Sequence, residues 1–180
     1  MGKRSFFPRL ALVNLVRNSR YYGPYLLSCG ALAAMYYILR FLTWNEVIQT
    51  VRGAAYLQVM MSIGCFVVAL FSTVLLLYAN SFVMKRRQKE LGLYNILGLE
   101  KRHIAALCFW ETLLCAAVVI PGGIAAGILL SKLILLLLLK LVQIPVQFGF
   151  SVSVRGVGET AALLGVLFLL ALLWNLLRLG

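Results

Sequence analysis

The side chains of this chain that could take part in chemistry are few. The sequence contains five glutamates, no aspartate, one histidine and four cysteines. It has no G-x-x-x-x-G-K-[ST] phosphate loop, no paired histidines for zinc and no serine, histidine and aspartate set. The chain is therefore predicted not to be an enzyme, to bind no cofactor or metal, and to be unable to hydrolyse ATP by itself.

Glu111 is the polar residue of most interest, because it lies in FWETLL, about two turns inside an apolar run. A carboxylate at membrane depth is by default a candidate functional residue. The alternative is that Glu111 lies close enough to the membrane surface to pair with Arg102 or Lys101. We favour this structural role over a direct functional one.

The four cysteines are Cys29, Cys65, Cys108 and Cys115, and each lies inside an apolar run. They show no C-x-x-C spacing and have no histidine that could complete a metal site. The sequence predicts that they are buried small hydrophobic residues rather than disulfide partners or metal ligands.

The composition is that of an integral membrane protein. Hydrophobic residues make up 63% of the chain, charged residues 12%, and the mean hydropathy is +0.97. Apolar runs of roughly 20 residues recur, so the sequence predicts an all-α membrane protein with four transmembrane helices. The formal charge of +12 then indicates a cytoplasmic face beside anionic membrane lipids, and no nucleic-acid partner.

The predicted segments are an N-terminal amphipathic elbow at 1–20, transmembrane helices at 21–42, 54–79, 104–142 and 161–177, and a cytoplasmic segment at 80–101. The third transmembrane run is too long for one crossing. Either Pro121 to Gly123 fold it into a hairpin, or it is one long helix, kinked there, with an extracellular extension. We favour the kinked helix, because a bare turn would expose unpaired backbone to lipid.

The basic residues predict the orientation in the membrane. Of the seventeen lysines and arginines, twelve fall near the two chain ends or in and beside the 80–101 segment. They are Lys3, Arg4, Arg9, Arg17, Arg20, Lys85, Arg86, Arg87, Lys89, Lys101, Arg102 and Arg178. Because lysine and arginine are in excess on the cytoplasmic side, both termini and the 80–101 segment are predicted to be cytoplasmic.

The segment SFVMKRRQKELGLYNILGLEKRHIAAL changes character along its length. Positive charges from Lys85 to Lys89 point around the whole helix, which predicts a solvated continuation of the second transmembrane helix. Beyond them, Leu93, Ile96 and Leu97 form one short apolar face, and Gly98 is placed for a C-terminal cap. The face could lie on the lipid headgroups, or the helix could be a rigid lever that docks on a cytoplasmic partner. We favour the lever.

The string from Arg87 to Gly98, R-x-x-E-L-G-x-x-x-x-L-G, carries a family resemblance. With the apolar LLLYA before it and WETLL after it, the chain resembles the FtsX-like permease domain of type VII ABC transporters over about residues 57–177. It is most similar to the bacitracin-export, BceB-like permeases. Because the chain stops soon after its fourth apolar run, the resemblance implies only the N-terminal half of such a permease.

The resemblance implies a coupling helix that docks in a cleft of a separate ATP-binding subunit, which alone would hold ATP and magnesium. The docking residues would be Arg87, Lys89, Glu90, Leu91, Leu93, Tyr94, Asn95 and Leu97. Gly92 and Gly98 would allow close approach and the turn. Nucleotide-driven movement would then be relayed through long helices to the outer face, where such permeases do mechanical work on their substrates.

Two functions remain open on this resemblance. The chain could be a permease subunit, or half-subunit, that handles or exports antimicrobial peptides or cell-envelope compounds. It could instead be a signalling or scaffold protein that works with a sensor histidine kinase or a wall hydrolase and moves no substrate. An unrelated four-helix channel or carrier, with the basic segment bound to lipid, is a third alternative.

Gly123 and Gly127 form a G-x-x-x-G spacing in the third transmembrane run, which permits close contact between helices. That contact could lie inside this bundle or against the other half of the permease. Together with Pro121, Gly123 is also a predicted hinge. The sequence leaves the partner of this spacing undecided.

Overall fold

The computed structural model describes residues 3–45, 53–96, 101–141 and 152–179, with side chains omitted at 3–8, 87–96, 101–102, 139 and 178–179. Within these ranges the chain forms five helices and no strand. They are α1 (Lys3–Arg17), α2 (Ser19–Thr43), α3 (Ala54–Ile96), α4 (Lys101–Leu141) and α5 (Val154–Leu179). The predicted all-α fold class is confirmed.

Four of the helices in the described ranges are long and apolar enough to cross a membrane. Their apolar stretches are Ser19–Thr43, Ala54–Arg86, His103–Leu138 and Val154–Leu177. An α-helix satisfies its own backbone hydrogen bonds and so tolerates the absence of water in the bilayer core. The chain is therefore a multi-pass membrane protein, as the apolar runs predict.

The first two helices are separated by a single residue. The amide N–H of Asn18 still donates to the Asn14 carbonyl at 2.9 Å, and the N–H of Tyr22 donates to the Asn18 carbonyl at 3.2 Å. The hydrogen-bonded chain thus turns from α1 into α2 without a loop. This short connection holds the start of α2 close to α1.

Helix α5 begins seven residues before the predicted start of the fourth transmembrane helix at residue 161. Ser153 caps it, because the N–H of Gly156 donates to the Ser153 hydroxyl at 3.1 Å and the N–H of Val157 to its carbonyl at 3.0 Å. A serine oxygen satisfies amides that have no partner in the first turn. The helix thus begins before residue 161, and the bounds of the fourth transmembrane segment stay a prediction.

Helix α4 is one helix of 41 residues that passes through Pro121. The hairpin alternative at Pro121 to Gly123 is therefore absent from the fold. A proline inside a helix removes one backbone hydrogen bond, while the residues on either side of it remain helical. The roles of Pro121 and Gly123 as a hinge stay a prediction.

Helix α2 lies at the centre of the bundle. It packs most extensively on α4 and also contacts α3 and α5, whereas α3 and α4, although consecutive, touch only slightly. In its most apolar stretch α2 is 44% buried, against 22% for α3. Most of the surface of α3 therefore faces away from the other helices, and α3 contacts them mainly along one side.

The crossing of α2 and α4 is close because both helices carry small residues there. A Cβ atom added at Gly123 would overlap Ala33 Cβ and lie 3.0 Å from the Gly30 carbonyl oxygen. At Gly127 it would lie 3.0 Å from the Tyr37 ring and 3.2 Å from Ala34 Cα. The G-x-x-x-G spacing thus faces α2, inside this bundle.

The four cysteines are all buried, as the sequence predicts. Cys29 and Cys115 belong to one apolar cluster between α2 and α4, and Cys65 and Cys108 lie in two others. Each is at most 3% exposed. They fill space between the helices as small hydrophobic side chains do.

Candidate functional site

The predicted docking residues fall on the last turns of α3 and just beyond it. Helix α3 continues without a break from its apolar stretch to Ile96. It carries the backbone of the predicted residues Arg87, Lys89, Glu90, Leu91, Gly92, Leu93, Tyr94 and Asn95. Leu97 and Gly98 lie outside the described residues. The contacts of all these side chains, and the cap at Gly98, therefore stay predictions.

Glu111 lies on α4 and is only 4% exposed. The Asn14 side-chain amide of α1 donates to one carboxylate oxygen at 3.4 Å, and the Tyr22 hydroxyl of α2 faces the other at 3.5 Å. The side chains of Arg102 and Lys101 lie outside the described residues, so the predicted ion pair remains a prediction. The structure shows instead that Glu111 joins α4 to α1 and α2.

Asn80 of α3 and Asn175 of α5 form a second buried polar contact. Each side-chain amide donates to the other's carbonyl oxygen, at 2.8 Å and 3.2 Å. The two residues are 8% and 4% exposed. A reciprocal amide pair satisfies both groups at once, which is the arrangement that makes a polar side chain tolerable at membrane depth.

Residues of both contacts line one cavity. We call the set of Asn14, Tyr22, Asn80, Glu111 and Asn175 the polar node. All except Asn14 line a cavity of about 30 Å³, together with Thr112, Met84 and two cysteines among others. Each of the five helices contributes one residue to the node. Hydrogen bonds join α4 to α1 and α2 on one side of the node, and α3 to α5 on the other.

Sequence reasoning found only Glu111 among the residues of the polar node. Asn80 and Asn175 each interrupt an apolar run, in LLYANSF and ALLWNLL, and an isolated amide in such a run is the signal that could have found them. Asn14 carries no such signal, because it lies in a segment already mixed in polarity. The sequence does not show which of these residues meet, because Asn80 and Asn175 are 95 positions apart and Asn14 and Glu111 are 97 positions apart.

A second polar group lies at the opposite end of the bundle, between the end of α2 and the start of α5. Arg40 Nε lies 2.9 Å from Glu159 Oε2, and Arg155 Nε lies 3.2 Å from Glu159 Oε1. The Arg155 guanidinium also stacks over the Trp44 ring, 3.7 Å from its centroid. Glu159 thus neutralises two arginines and links α5 to α2. Sequence reasoning missed this glutamate.

Replacing Glu159 with glutamine is expected to lower the free energy of unfolding by about 1 kcal/mol, since two arginines lose a shared counter-charge that is only partly shielded from solvent. Thermal unfolding in detergent micelles at low and high salt measures the effect. The loss should shrink in high salt, and Arg40→Met with Glu159→Gln should cost less than the two single changes added together. An unchanged unfolding temperature at both salt concentrations would show that the ion pairs add no stability.

The polar node and the described cysteines do not form a metal centre. In the ranges 3–45, 53–96, 101–141 and 152–179, histidine, cysteine and glutamate side chains form no group of three that could hold a metal ion. The node connects helices through hydrogen bonds. The architecture is that of a helical membrane protein whose third helix runs unbroken past the length of a membrane crossing.

The comparison with protein families identifies the class. Residues 62–180 match the model described as FtsX-like permease C-terminal. This match covers more than half of the chain, so the chain belongs to the FtsX-like permease family. The family resemblance carried by the string from Arg87 to Gly98 is thereby confirmed.

The curated relatives are bacterial permeases. The chain is 30% identical over 171 residues to bacitracin export permease protein BceB of Bacillus subtilis (strain 168) and 28% identical over 172 residues to the BceB protein of Halalkalibacterium halodurans. It is 25% identical over 171 residues to an uncharacterized ABC transporter permease, YvcS, of Bacillus subtilis. These alignments cover 93–94% of this chain and 26% of each relative. The chain thus spans about a quarter of the length of the curated relatives that it matches.

Proposed function

We propose that this chain is a membrane subunit, or part of one, of an ABC transporter, and that the cytoplasmic segment of α3 couples it to a separate ATPase. The observation that carries this proposal is the continuity of α3 over 43 residues. A continuous helix moves as a rod. A displacement of its cytoplasmic end therefore also displaces the part of α3 that packs in the membrane bundle.

The length of α3 supports an extension beyond the bilayer. At 1.5 Å per residue, its 43 residues span about 65 Å, about twice the roughly 30 Å thickness of the hydrocarbon core. The apolar stretch ends at Arg86, so the ten residues from Arg87 to Ile96 add about 15 Å of helix. This is enough for nearly three turns that can carry a docking face.

The charge pattern supports a cytoplasmic position for that extension. Four of the five residues from Lys85 to Lys89 are basic, and the chain carries seventeen basic residues against five acidic ones. Lysine and arginine are retained on the cytoplasmic side of membrane proteins, where anionic lipids are also found. Both chain termini are then cytoplasmic, because the chain crosses the membrane four times.

The substrate class comes from the relatives. Two of the curated relatives are named for bacitracin export, and we expect this chain to act on antimicrobial peptides or other cell-envelope compounds. ATP and magnesium would be held by the partner ATPase. The remaining part of the permease and the surrounding lipids would be the other partners, since α3 turns an apolar surface outward.

Docking is tested by co-purification of this chain with a candidate partner ABC ATPase from the same organism. The double variant Tyr94→Ala with Leu97→Asp is expected to bind the ATPase about tenfold more weakly, a loss of ~1.4 kcal/mol. The first change removes an aromatic anchor, and the second puts a charge into an apolar contact. Binding constants measured by titration in detergent or nanodiscs give the comparison.

The matched control places the same two chemical changes at exposed positions elsewhere, as Tyr78→Ala with Leu141→Asp. These side chains are 73% and 80% exposed, and neither belongs to the predicted docking segment. The control should bind the ATPase as the parent does. If the Tyr94 and Leu97 variant also binds like the parent, this segment is not the docking helix.

A further inference from the structure

The cavity of the polar node differs in character from the rest of the bundle interior. The other buried clusters are lined by apolar side chains, such as the group around Tyr37, Phe41 and Ile124. Four residues with polar side chains, Glu111, Asn80, Asn175 and Tyr22, line the node cavity. A carboxylate and three further polar groups that converge in one cavity form a site for a small polar ligand.

The size of the cavity suits water. Its volume of about 30 Å³ exceeds the roughly 10–15 Å³ that one water molecule needs. A buried water typically has two to four polar partners, and this cavity offers at least that number. An apolar cavity of the same size would stay dry.

The hydrogen-bonding capacity of Glu111 also suits water. Asn14 and Tyr22 donate to its two carboxylate oxygens at 3.4 Å and 3.5 Å. A carboxylate accepts about four hydrogen bonds. Water on the cavity side can donate to Glu111 and bridge it to the Asn80 and Asn175 carbonyls.

The geometry points to a water-binding site between Glu111 and the Asn80–Asn175 pair, which makes the polar node a hydrated joint for α3. Bridging water lets polar groups exchange partners without leaving a buried donor or acceptor unsatisfied. Asn80 is the α3 residue of the node and lies six residues before Arg86, where the apolar stretch of α3 ends. The role as a joint, unlike the water site itself, rests on the proposed coupling function of α3.

Hydroxyl-radical footprinting of the purified chain in nanodiscs tests the water site. Radicals generated by X-rays from bound water oxidise the side chains next to it, and Met84 lines the cavity although it is only 7% exposed. Met61 is the internal control, because it packs on the apolar Tyr37 cluster. Met84 should be oxidised clearly faster than Met61.

A variant separates cavity water from bulk water. Asn80→Leu with Asn175→Leu fills the cavity with apolar groups, and it should bring Met84 oxidation down to the level of Met61. Thr112→Leu, which fills the cavity from α4, serves if the first variant does not retain its helical circular dichroism. Equal oxidation of Met84 and Met61 in the parent, or unchanged Met84 oxidation in the folded variant, would overturn the water site.

The joint is tested in the complex with the ATPase, where docking is measured in the same sample. ATP should change Met84 oxidation relative to ADP if movement of α3 rearranges the node. No change while the ATPase remains bound would overturn the joint but leave docking intact. The Tyr94 and Leu97 variant separates the two claims. If it no longer binds the ATPase but its Met84, in the free chain, is oxidised as in the parent, the water site does not depend on coupling.

Discussion

Replacing Gly123 with valine is expected to lower the free energy of unfolding by about 3 kcal/mol, the upper end of the usual cost of overpacking a tightly packed interior. The added Cβ would overlap Ala33 Cβ and press on the Gly30 backbone of α2. Backbone atoms cannot rotate away as a flexible side chain can. Since α2 and α4 share the largest helix contact of the bundle, separating them weakens the whole fold.

Unfolding in detergent micelles, followed by circular dichroism, measures this loss. Gly122→Val is the matched control, because a Cβ at Gly122 meets no atom within 4 Å. A second test uses Gly123→Ala, which should be rescued in part by Ala33→Gly, since that change removes the atom in closest conflict. If Gly122→Val and Gly123→Val unfold alike, the close crossing of α2 and α4 is not a source of stability.

Replacing Asn80 alone with leucine is expected to cost about 2 kcal/mol, because the amide of Asn175 then stays buried without its partner. The double change Asn80→Leu with Asn175→Leu should be less destabilising than the single change, since no unpaired amide remains. This reversal distinguishes a satisfied polar pair from two side chains that merely fill space. It also explains why the double variant is the one suited to filling the cavity.

The same unfolding measurement checks this prediction through a double-mutant cycle. Gln58→Leu is the control, because it also removes an amide from α3 but at a solvent- or lipid-exposed position. It should change stability little. A double variant whose loss equals the sum of the two single losses would show that Asn80 and Asn175 do not interact energetically.

Much of the fold could be predicted from local sequence alone. Each transmembrane helix coincides with an apolar run, because a segment of that length and polarity can satisfy its backbone in lipid only as a helix. The absence of a hairpin at Pro121 follows from the same rule, since an open turn exposes backbone groups. The start of α5 at Val154 is set by the cap at Ser153, which depends on a hydroxyl and not on hydropathy.

The candidate site residues differ in the same way: those marked by their sequence neighbours could be predicted, and those marked by distant partners could not. Glu111 was found because a carboxylate in an apolar run is conspicuous, and the Arg87 to Gly98 string because its residues are contiguous. Glu159 was missed because its partner Arg40 lies on another helix, 119 positions away in the sequence, although its other partner, Arg155, is only four residues away. A pairing of that kind depends on how the ends of α2 and α5 meet.

The sequence by itself determined the membrane environment, the four helices of the described ranges that are long and apolar enough to cross it, and the family, since these depend on runs of neighbouring residues. Only the tertiary structure decided that α2 is central, that Gly123 and Gly127 face it, and that polar side chains from four different helices line one cavity. The physical reason is that lipid accepts any apolar helix face equally well. The faces that pack together are therefore selected by small residues and by buried polar groups, whose partners lie far apart in the chain.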